Sequence, residues 1–202
     1  MSTGRSAGLA PAAPTRRGRE RREAVLDAAA ELFLEHGFHG TSVDEIGAAA
    51  GITGPGLYRH FASKDAVLMA VLDRLWTQLE PAIVTAAERP AADALDVLIE
   101  AHIDLALGQP AAVVLLLREL RHLPADQLAK ARRNHRRYVD AWVGPLRALA
   151  PDLEPARARA TALAVHGLVD SALLTPGVLR VDEHRELLRD LAAAVIARAT
   201  GR

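Results

Sequence analysis

The amino-acid sequence predicts an all-α fold, with an N-terminal three-helix domain and a larger C-terminal helical domain. Beyond about residue 18, apolar residues recur at spacings of three and four, the period of a helix with one buried face. No stretch shows the convincing alternation of apolar and polar residues that marks a half-buried strand. Glycine and proline separate the periodic segments, as expected for turns between helices.

The overall composition gives no evidence for a nucleic-acid partner, so any such partner has to be argued from local features. The 202 residues carry a formal net charge of zero and a sequence pI near 7.1, so no overall positive field attracts DNA. The absence of cysteine excludes disulfides and thiolate metal sites. Residues 1–18 are rich in Gly, Ala, Pro and Arg without periodicity, and we expect a flexible basic arm there. With neither a signal peptide nor an apolar run of about 20 residues, we expect a soluble, cytoplasmic protein without a membrane partner.

The N-terminal domain is predicted to span residues 19–64. Its first helix covers about residues 19–36, where Val25 and Phe33 belong to one apolar face. Gly37 follows as the glycine that commonly ends a helix.

The second helix is predicted to begin after Thr41. The Thr41 side chain is expected to cap the helix and Asp44 to reach back to it, as in a capping box. This helix ends near Gly51, about ten residues later.

The third helix is predicted to begin at the cap residue Thr53. Leu57 and Phe61 lie four residues apart and are expected to face inward. The outward face then carries Gly54, Pro55, Tyr58 and Arg59.

The remaining chain, residues 65–202, is predicted to form the larger helical domain. Ser63 caps a fourth helix that starts at Lys64, and Pro81 is expected to kink or end it. Further helices are predicted near residues 92–108, 110–121, 124–149, 155–175 and 182–200.

Two short helices joined by a tight turn around Gly51 make a predicted helix-turn-helix, a motif that places its second helix in the DNA major groove. Gly54 and Gly56 weaken that helix but would let its N-terminus approach DNA closely. The residues expected to hold the flanking phosphates are Thr41, Thr53, Tyr58, Arg59 and Lys64. The preceding arginines expected to attract DNA or enter its minor groove are Arg16, Arg17, Arg19, Arg21 and Arg22.

Residues 20–68 resemble the DNA-binding domain of the tetracycline-repressor (TetR) family. The first matching motif is Ala28-Ala-Ala-x-Leu-Phe-x-x-x-Gly37-Phe. The second is Thr41-Ser-Val-x-x-Ile46-x-x-x-Ala50-Gly-Ile-Thr53, and the third is Leu57-Tyr-Arg-His-Phe-x-Ser-Lys-Asp65. The match is long, has several parts and keeps its spacing.

The resemblance implies a homodimeric, ligand-responsive repressor that binds a palindromic operator on double-stranded DNA and is released by a small effector. It further implies that the C-terminal domain binds that effector and dimerises. The residues that fall where the family contacts DNA are Thr41, Thr53, Gly54, Pro55, Tyr58, His60 and Lys64. Because Gly54 and Gly56 stand where relatives often carry side chains, we expect sparse base reading and discrimination partly through DNA shape. Pro55, Tyr58 and Arg59 are the side chains left to read sequence.

Several of these side chains also have a purely structural interpretation. Tyr58 suits a surface tyrosine half-buried against the first helix, and His60 suits a cap at the end of its own short helix. Lys64 at a helix N-terminus opposes the macrodipole, which a nearby phosphate would offset. The arginines before residue 23 suit a solubilising tail as well as a DNA contact, because Glu20 and Glu23 dilute their charge.

The candidate effector contacts are His102, Arg118, Tyr138, Trp142 and His166. His102 falls on an apolar helix face, which suits a hydrogen-bonded core histidine as well as a ligand contact. Tyr138 and Trp142 lie four apart, as in a core or interface or in a pocket for a hydrophobic or amphipathic effector. Arg118 and Glu119 follow the apolar run 113–117, so at least one of them is expected to turn inward and pair.

Two further surfaces have open interpretations. A basic face of the seventh helix, which suits a solvated surface or an anionic-ligand site, consists of Arg132, Arg133, Arg136 and Arg137. A strip of small residues on the eighth helix consists of Ala160, Ala164, Gly167 and Ser171. This strip suits either internal packing or a homodimer formed through the last two helices.

Other function classes leave weaker traces in the sequence. The chain lacks an HExxH motif, a histidine pair at convincing ligand spacing, a nucleophile elbow and a phosphate loop. We therefore expect no enzyme activity, no metal and no cofactor. A helical interaction module with a vestigial helix-turn-helix stays as the alternative, and salt-insensitive or absent DNA binding would identify it.

Overall fold

The computed structural model describes residues 15–119, 123, 125–174 and 177–202. Within these ranges the chain contains helices and no strand, which confirms the all-α prediction. In chain order the helices are α1 (Arg16–Gly40), α2 (Val43–Ala49), α3 (Gly54–Leu57), α4 (Lys64–Ala87), α5 (Ala91–Gly108), α6 (Pro110–Glu119), α7 (Ala125–Leu149), α8 (Pro155–Asp170) and α9 (Val181–Thr200). A short 3-10 helix, Ser171–Leu174, directly follows α8.

Helix α1 begins earlier than the sequence predicts. The Thr15 side chain accepts a hydrogen bond from the Gly18 amide at 3.2 Å and caps the helix, which starts at Arg16. The prediction of an irregular arm over residues 1–18 is therefore wrong for its last three residues, while residues 1–14 lie outside the described part. Near the other end, Gly37 adopts φ 76°, a left-handed value that suits glycine and bends the chain.

The cap of α2 lies one residue later than predicted. Ser42, not Thr41, is the N-cap residue. The Ser42 hydroxyl accepts from the Glu45 amide at 3.2 Å, and the Ser42 amide donates to the Glu45 carboxylate at 2.6 Å. This completes a capping box with Glu45 in the place predicted for Asp44.

The predicted caps of the next two helices are confirmed. The hydroxyls of Thr53 and Ser63 each accept a hydrogen bond from the amide three residues later. Pro81 was predicted to kink or end α4; it lies inside the helix, so the predicted end is wrong and the kink stays a prediction. Its missing N–H leaves the carbonyl of Thr77 without a helical partner, and water can solvate that carbonyl because both residues are exposed or partly exposed.

Helix α4 connects the two domains. It packs against α1 of the N-terminal domain and against α5, α6 and α7 of the C-terminal domain. Arg74 of α4 forms ion pairs with Glu23 at 3.3 Å and Asp27 at 2.6 Å, both on α1. Among the described residues no single helix is long and apolar enough to cross a membrane, although the bent α5–α6 pair passes that test jointly.

Candidate DNA interface and effector cavity

A tight turn joins α2 to α3. Gly51 has φ 68°, and the Ile52 amide donates to the Gly47 carbonyl at 2.8 Å. A Cβ on Gly47 would lie 3.0 Å from the Ile52 carbonyl oxygen, so the turn has no room for a side chain there. These two glycines let the short helices pack closely, as a helix-turn-helix requires.

The exposure of the side chains largely agrees with the inward and outward faces predicted for the third helix. Leu57 and Phe61 point into the core, with exposed fractions of 0% and 4%. On the other side Pro55 and Arg59 are exposed, and Tyr58 is 56% exposed. Three side chains on α3 and directly after it are therefore exposed towards a partner.

Gly54 differs from its prediction, because it is buried and not part of the outward face. A Cβ at this position would lie 1.9 Å from Oδ1 of Asp44 in α2. The missing side chain therefore leaves room for the Asp44 carboxylate, which is the end of a flexible side chain. Close approach of this helix to DNA stays a prediction.

Thr41 does not present its hydroxyl to an external partner. The residue is 2% exposed, and its Oγ1 lies 3.0 Å from the carbonyl oxygens of both Leu32 and Gly37. The predicted phosphate contact by this side chain therefore has no exposed group to make it. The neighbouring Ser42 is exposed.

Lys64 is held inside the protein. Its Nζ donates to the carbonyl oxygens of Phe38 at 2.7 Å and Thr41 at 2.8 Å, and lies 4.5 Å from the centre of the Phe38 ring. The two carbonyls explain a lysine at a helix N-terminus without an external phosphate. Two of its three N–H groups are thereby used, and a phosphate contact through the third stays a prediction.

The other predicted DNA contacts lie at or near the surface. Thr53, Arg17 and Arg19 are exposed, whereas His60 is partly buried. Arg22 instead stacks on the core, with Cζ 4.3 Å from the Phe61 ring centre. DNA contact by the exposed residues Thr53, Arg17 and Arg19 stays a prediction.

Helices α4 to α8 surround a cavity of about 240 Å³ in the C-terminal domain. Its volume falls below the roughly 300–1,000 Å³ of pockets for drug-sized ligands, so it fits a small molecule or one end of a larger one. The lining is mostly apolar and includes Leu75, Trp76, Leu79, Leu105, Val113, Leu116, Leu117 and Leu163. The polar lining residues are His102, His135, Tyr138, His166 and Asp170.

The polar residues form a connected cluster on one wall. The Tyr138 hydroxyl lies 3.1 Å from Nδ1 of His102, whose Nε2 lies 3.4 Å from Oδ1 of Asp170. The His166 ring stacks on both neighbours, with ring centres 4.4 Å from His102 and 5.0 Å from Tyr138. Three helices thus place hydrogen-bonding groups together in an apolar surrounding.

Burial disfavours the charged forms of His135, Tyr138 and His166. Desolvation lowers the pKa of His166 to about 2, with a smaller contribution from nearby histidines. Desolvation also lowers the pKa of His135 and raises the pKa of the Tyr138 hydroxyl. At neutral pH, His166 is therefore a neutral imidazole and Tyr138 a protonated phenol.

The structure brings three of the five predicted effector contacts to the cavity: His102, Tyr138 and His166. Trp142 is fully buried behind them, with its ring centre 4.9 Å from that of His166, and does not line the cavity. Arg118 is exposed and also outside the lining. The prediction was that at least one of Arg118 and Glu119 turns inward; because the Glu119 side chain lies outside the described part, it stays a prediction.

Asp170 and Trp76 are among the lining residues that sequence reasoning missed. Asp170 follows His166 by four residues on α8, a spacing that places both on one helix face and could have identified it. Trp76 on α4 gave no comparable signal. In the described part of the chain no three His, Asp or Glu side chains are arranged to hold a metal ion.

Comparisons with known proteins agree with this architecture. Residues 25–71 match the family model for bacterial regulatory proteins of the tetR family, and residues 88–173 match the tetracyclin repressor-like C-terminal domain. The chain is 45% identical over 69 residues to the HTH-type transcriptional activator FasR of Mycolicibacterium smegmatis, covering 32% of each chain. It is 31% identical over 137 residues to the HTH-type transcriptional repressor KstR2 of Rhodococcus jostii, covering 65% of this chain and 66% of the relative.

These matches span about a third of the length of FasR and just under two thirds of KstR2. Among solved structures, AibR in complex with isovaleryl coenzyme A and operator DNA superposes with a TM-score of 0.68 at 23% identity. That superposition covers 85% of this chain and 97% of AibR and shows a shared fold. With a family match at both its DNA-binding and its C-terminal domain, the chain belongs to the TetR family of transcriptional regulators.

Proposed function

We propose that the chain is a cytoplasmic, homodimeric transcriptional repressor that binds a palindromic operator and is released by a small hydrophobic or amphipathic effector. The observation that carries the proposal is the exposed surface of α3 and the turn that follows it, where Pro55, Tyr58 and Arg59 project from a segment fixed by Leu57 and Phe61. A second helix presented in this way can enter the major groove.

Apolar exposure on the last two helices supports the homodimer. Leu163 of α8 and Leu187 and Leu191 of α9 are 43%, 45% and 42% exposed. The small residues Ala160 and Ala164 are exposed on α8 as well and permit close helix packing. A symmetric pair would set two recognition helices about 34–36 Å apart, or a multiple of that distance, to match successive turns of one DNA face.

The position of the cavity supports control by an effector. Val113 and Leu116 of α6 line it, and α6 also packs against α1 of the DNA-binding domain. Leu75 and Leu79 of α4 line it too. Helix α4 begins at Lys64, whose Nζ donates to the Phe38 carbonyl of α1. A ligand that favours another arrangement of these helices would change the recognition-helix spacing, and operator DNA would weaken effector binding by the same factor. AibR, which shares this fold, forms a complex with isovaleryl coenzyme A and operator DNA. It is a precedent for a protein of this fold that binds both a small molecule and DNA.

Binding-site selection from a random DNA pool tests the proposal. The purified protein would be used at about 50 and 200 mM salt, because phosphate contacts make affinity fall steeply over this range. Enrichment of a palindrome with salt-dependent affinity is the expected result. A folded dimer that enriches no sequence would contradict specific DNA recognition and favour the interaction-module alternative.

A further inference from the structure

Three polar atoms of the cavity wall have no hydrogen-bond partner among the described residues. They are Nε2 of His102, Nε2 of His166 and Oδ1 of Asp170. Both histidines are only 6% exposed, so bulk water does not readily serve them. Nε2 of His102 and Oδ1 of Asp170 lie 3.4 Å from each other without a hydrogen bond, so a ligand that enters the cavity can supply partners to all three atoms.

The outer member of the cluster is the carboxylate of Asp170. The Tyr138 hydroxyl lies 3.1 Å from Nδ1 of His102, and Nε2 of His102 lies 3.4 Å from Oδ1 of Asp170.

Neither lysine nor arginine is present in the described lining beside Asp170. Its side chain is only 17% exposed, which strengthens its attraction for a positive charge and its repulsion of a negative one. Two aromatic side chains, Trp76 and Tyr138, line the same cavity. Aromatic faces attract cations, and the remaining lining is aliphatic.

We propose that the cavity recognises a small apolar primary amine, whose ammonium group binds Asp170 while its hydrocarbon part lies among Leu79, Leu105 and Leu116. This inference rests on the proposed function, since it names the chemistry of the effector. The ammonium donates to Oδ1 of Asp170 and lies near the aromatic rings. A carboxylate of the same shape would meet Asp170 without a compensating cation.

Three probes that share one ring and differ in their polar end test the inference on the wild-type protein: cyclohexylmethylamine, cyclohexylmethanol and cyclohexanecarboxylate. Calorimetric titration at about pH 7.5 needs no DNA, and Trp76 offers a second, fluorescent readout. We expect the amine to bind at least about tenfold more tightly than the carboxylate, with the alcohol between them, because only the amine forms a charge-assisted hydrogen bond. Equal or tighter binding of the carboxylate, or no binding of the amine, would overturn the inference.

The variant Asp170→Asn keeps the shape of the side chain and removes its charge. It should weaken amine binding at least about tenfold and change alcohol binding by less than about threefold. The matched control is Asp73→Asn, a carboxylate of α4 that is paired with Lys130 at 2.6 Å outside this cavity, and it should leave amine affinity unchanged. Unaltered amine affinity in a folded Asp170→Asn protein would contradict the assignment.

A variant whose cavity is filled by a larger side chain helps to separate failure of this inference from failure of the proposed function. Leu116→Trp should abolish binding of all three probes, and amine binding that survives it would place the amine elsewhere and overturn the inference. If cyclohexylmethanol releases operator DNA but the amine binds no better than the carboxylate, the amine inference fails and the effector cavity stands. If the protein binds no operator, the proposed function fails independently of the calorimetric result.

Discussion

Gly47 and Ile52 are in direct contact across the turn of the helix-turn-helix. The Ile52 amide donates to the Gly47 carbonyl at 2.8 Å, and a Cβ on Gly47 would lie 3.0 Å from the Ile52 carbonyl oxygen. The same Cβ would lie 3.3 Å from the Gly54 amide nitrogen. These neighbours are backbone atoms, which cannot rotate away as a side chain can. The angle between α2 and α3 therefore depends on the absence of a side chain at Gly47.

Replacement of Gly47 by alanine should destabilise the protein by about 1–3 kcal/mol, the usual cost of forcing extra atoms into a packed site. Urea unfolding measures this loss. The control is Gly108→Ala, since Gly108 is an exposed residue at the end of α5 and a Cβ there meets nothing within 4 Å. That change should alter the free energy of unfolding by no more than about 0.5 kcal/mol. Equal effects of the two substitutions would contradict the close contact at Gly47.

Lys64→Met should destabilise the N-terminal domain because the carbonyls of Phe38 and Thr41 lose their donor. We expect a loss of about 1–3 kcal/mol in the free energy of unfolding, the cost of an unpaired buried acceptor. If Lys64 is only a positioning residue, the slope of log affinity against log salt should not change. A slope reduced by about one with unchanged stability would instead assign Lys64 to a phosphate.

Arg59→Ala tests the exposed face of α3. Because Arg59 is exposed, the free energy of unfolding should change by no more than about 0.5 kcal/mol. If the guanidinium reads a base, discrimination at one operator position should fall by about 1–3 kcal/mol. Competition binding against single-position operator variants measures this. Arg133→Ala, an exposed arginine on α7, should leave discrimination unchanged, whereas uniform weakening by Arg59→Ala would indicate a phosphate contact.

The local features of the DNA-binding domain were predictable from sequence, and their exact register was less so. Thr53 and Ser63 cap their helices as predicted because a hydroxyl before a helical segment has one nearby donor to accept from. At α2, Thr41 and Ser42 are both followed three residues later by an acid, so the sequence fits either cap. The choice depends on Leu32, whose carbonyl lies 3.0 Å from the Thr41 hydroxyl and is nine residues away in sequence.

The cavity was less predictable because its wall combines three helices. His102 and Tyr138 are 36 residues apart, and neither residue's helix period indicates that their side chains meet. Spacing alone also could not separate Tyr138, which lines the cavity, from Trp142, which lies behind it. Only the packing of α7 against α5 and α8 decides which of the two aromatic rings reaches the open space.

Leu191→Glu should dissociate the proposed dimer, because the new carboxylate would be buried in an apolar interface without a partner. Sedimentation velocity measures the shift from dimer to monomer. The control is Val84→Glu on α4, where the side chain is already 51% exposed outside α8 and α9. If the Leu191→Glu protein dimerises over the same concentration range as wild type, the interface lies elsewhere.

Acid should destabilise the protein partly through His166. Its pKa is lowered by burial to about 2, whereas an unfolded imidazole has a pKa of about 6.5. Between these values the unfolded state binds a proton that the native state does not, so the free energy of unfolding falls as pH falls below about 6.5. From about pH 7.5 to 5.5 this group accounts for a loss of about 1.4 kcal/mol. His135, whose pKa is also lowered by burial, acts in the same direction.

The substitution His166→Leu removes the titrating group, so the variant should lose about 1.4 kcal/mol less than wild type over the same pH interval. Urea unfolding at both pH values measures the difference, which does not depend on the variant's absolute stability. His36→Asn, a change at an exposed histidine of α1, should retain the wild-type loss. If His166→Leu loses stability as steeply as wild type, a proton reaches the native imidazole, and burial does not lower the pKa of His166 as expected.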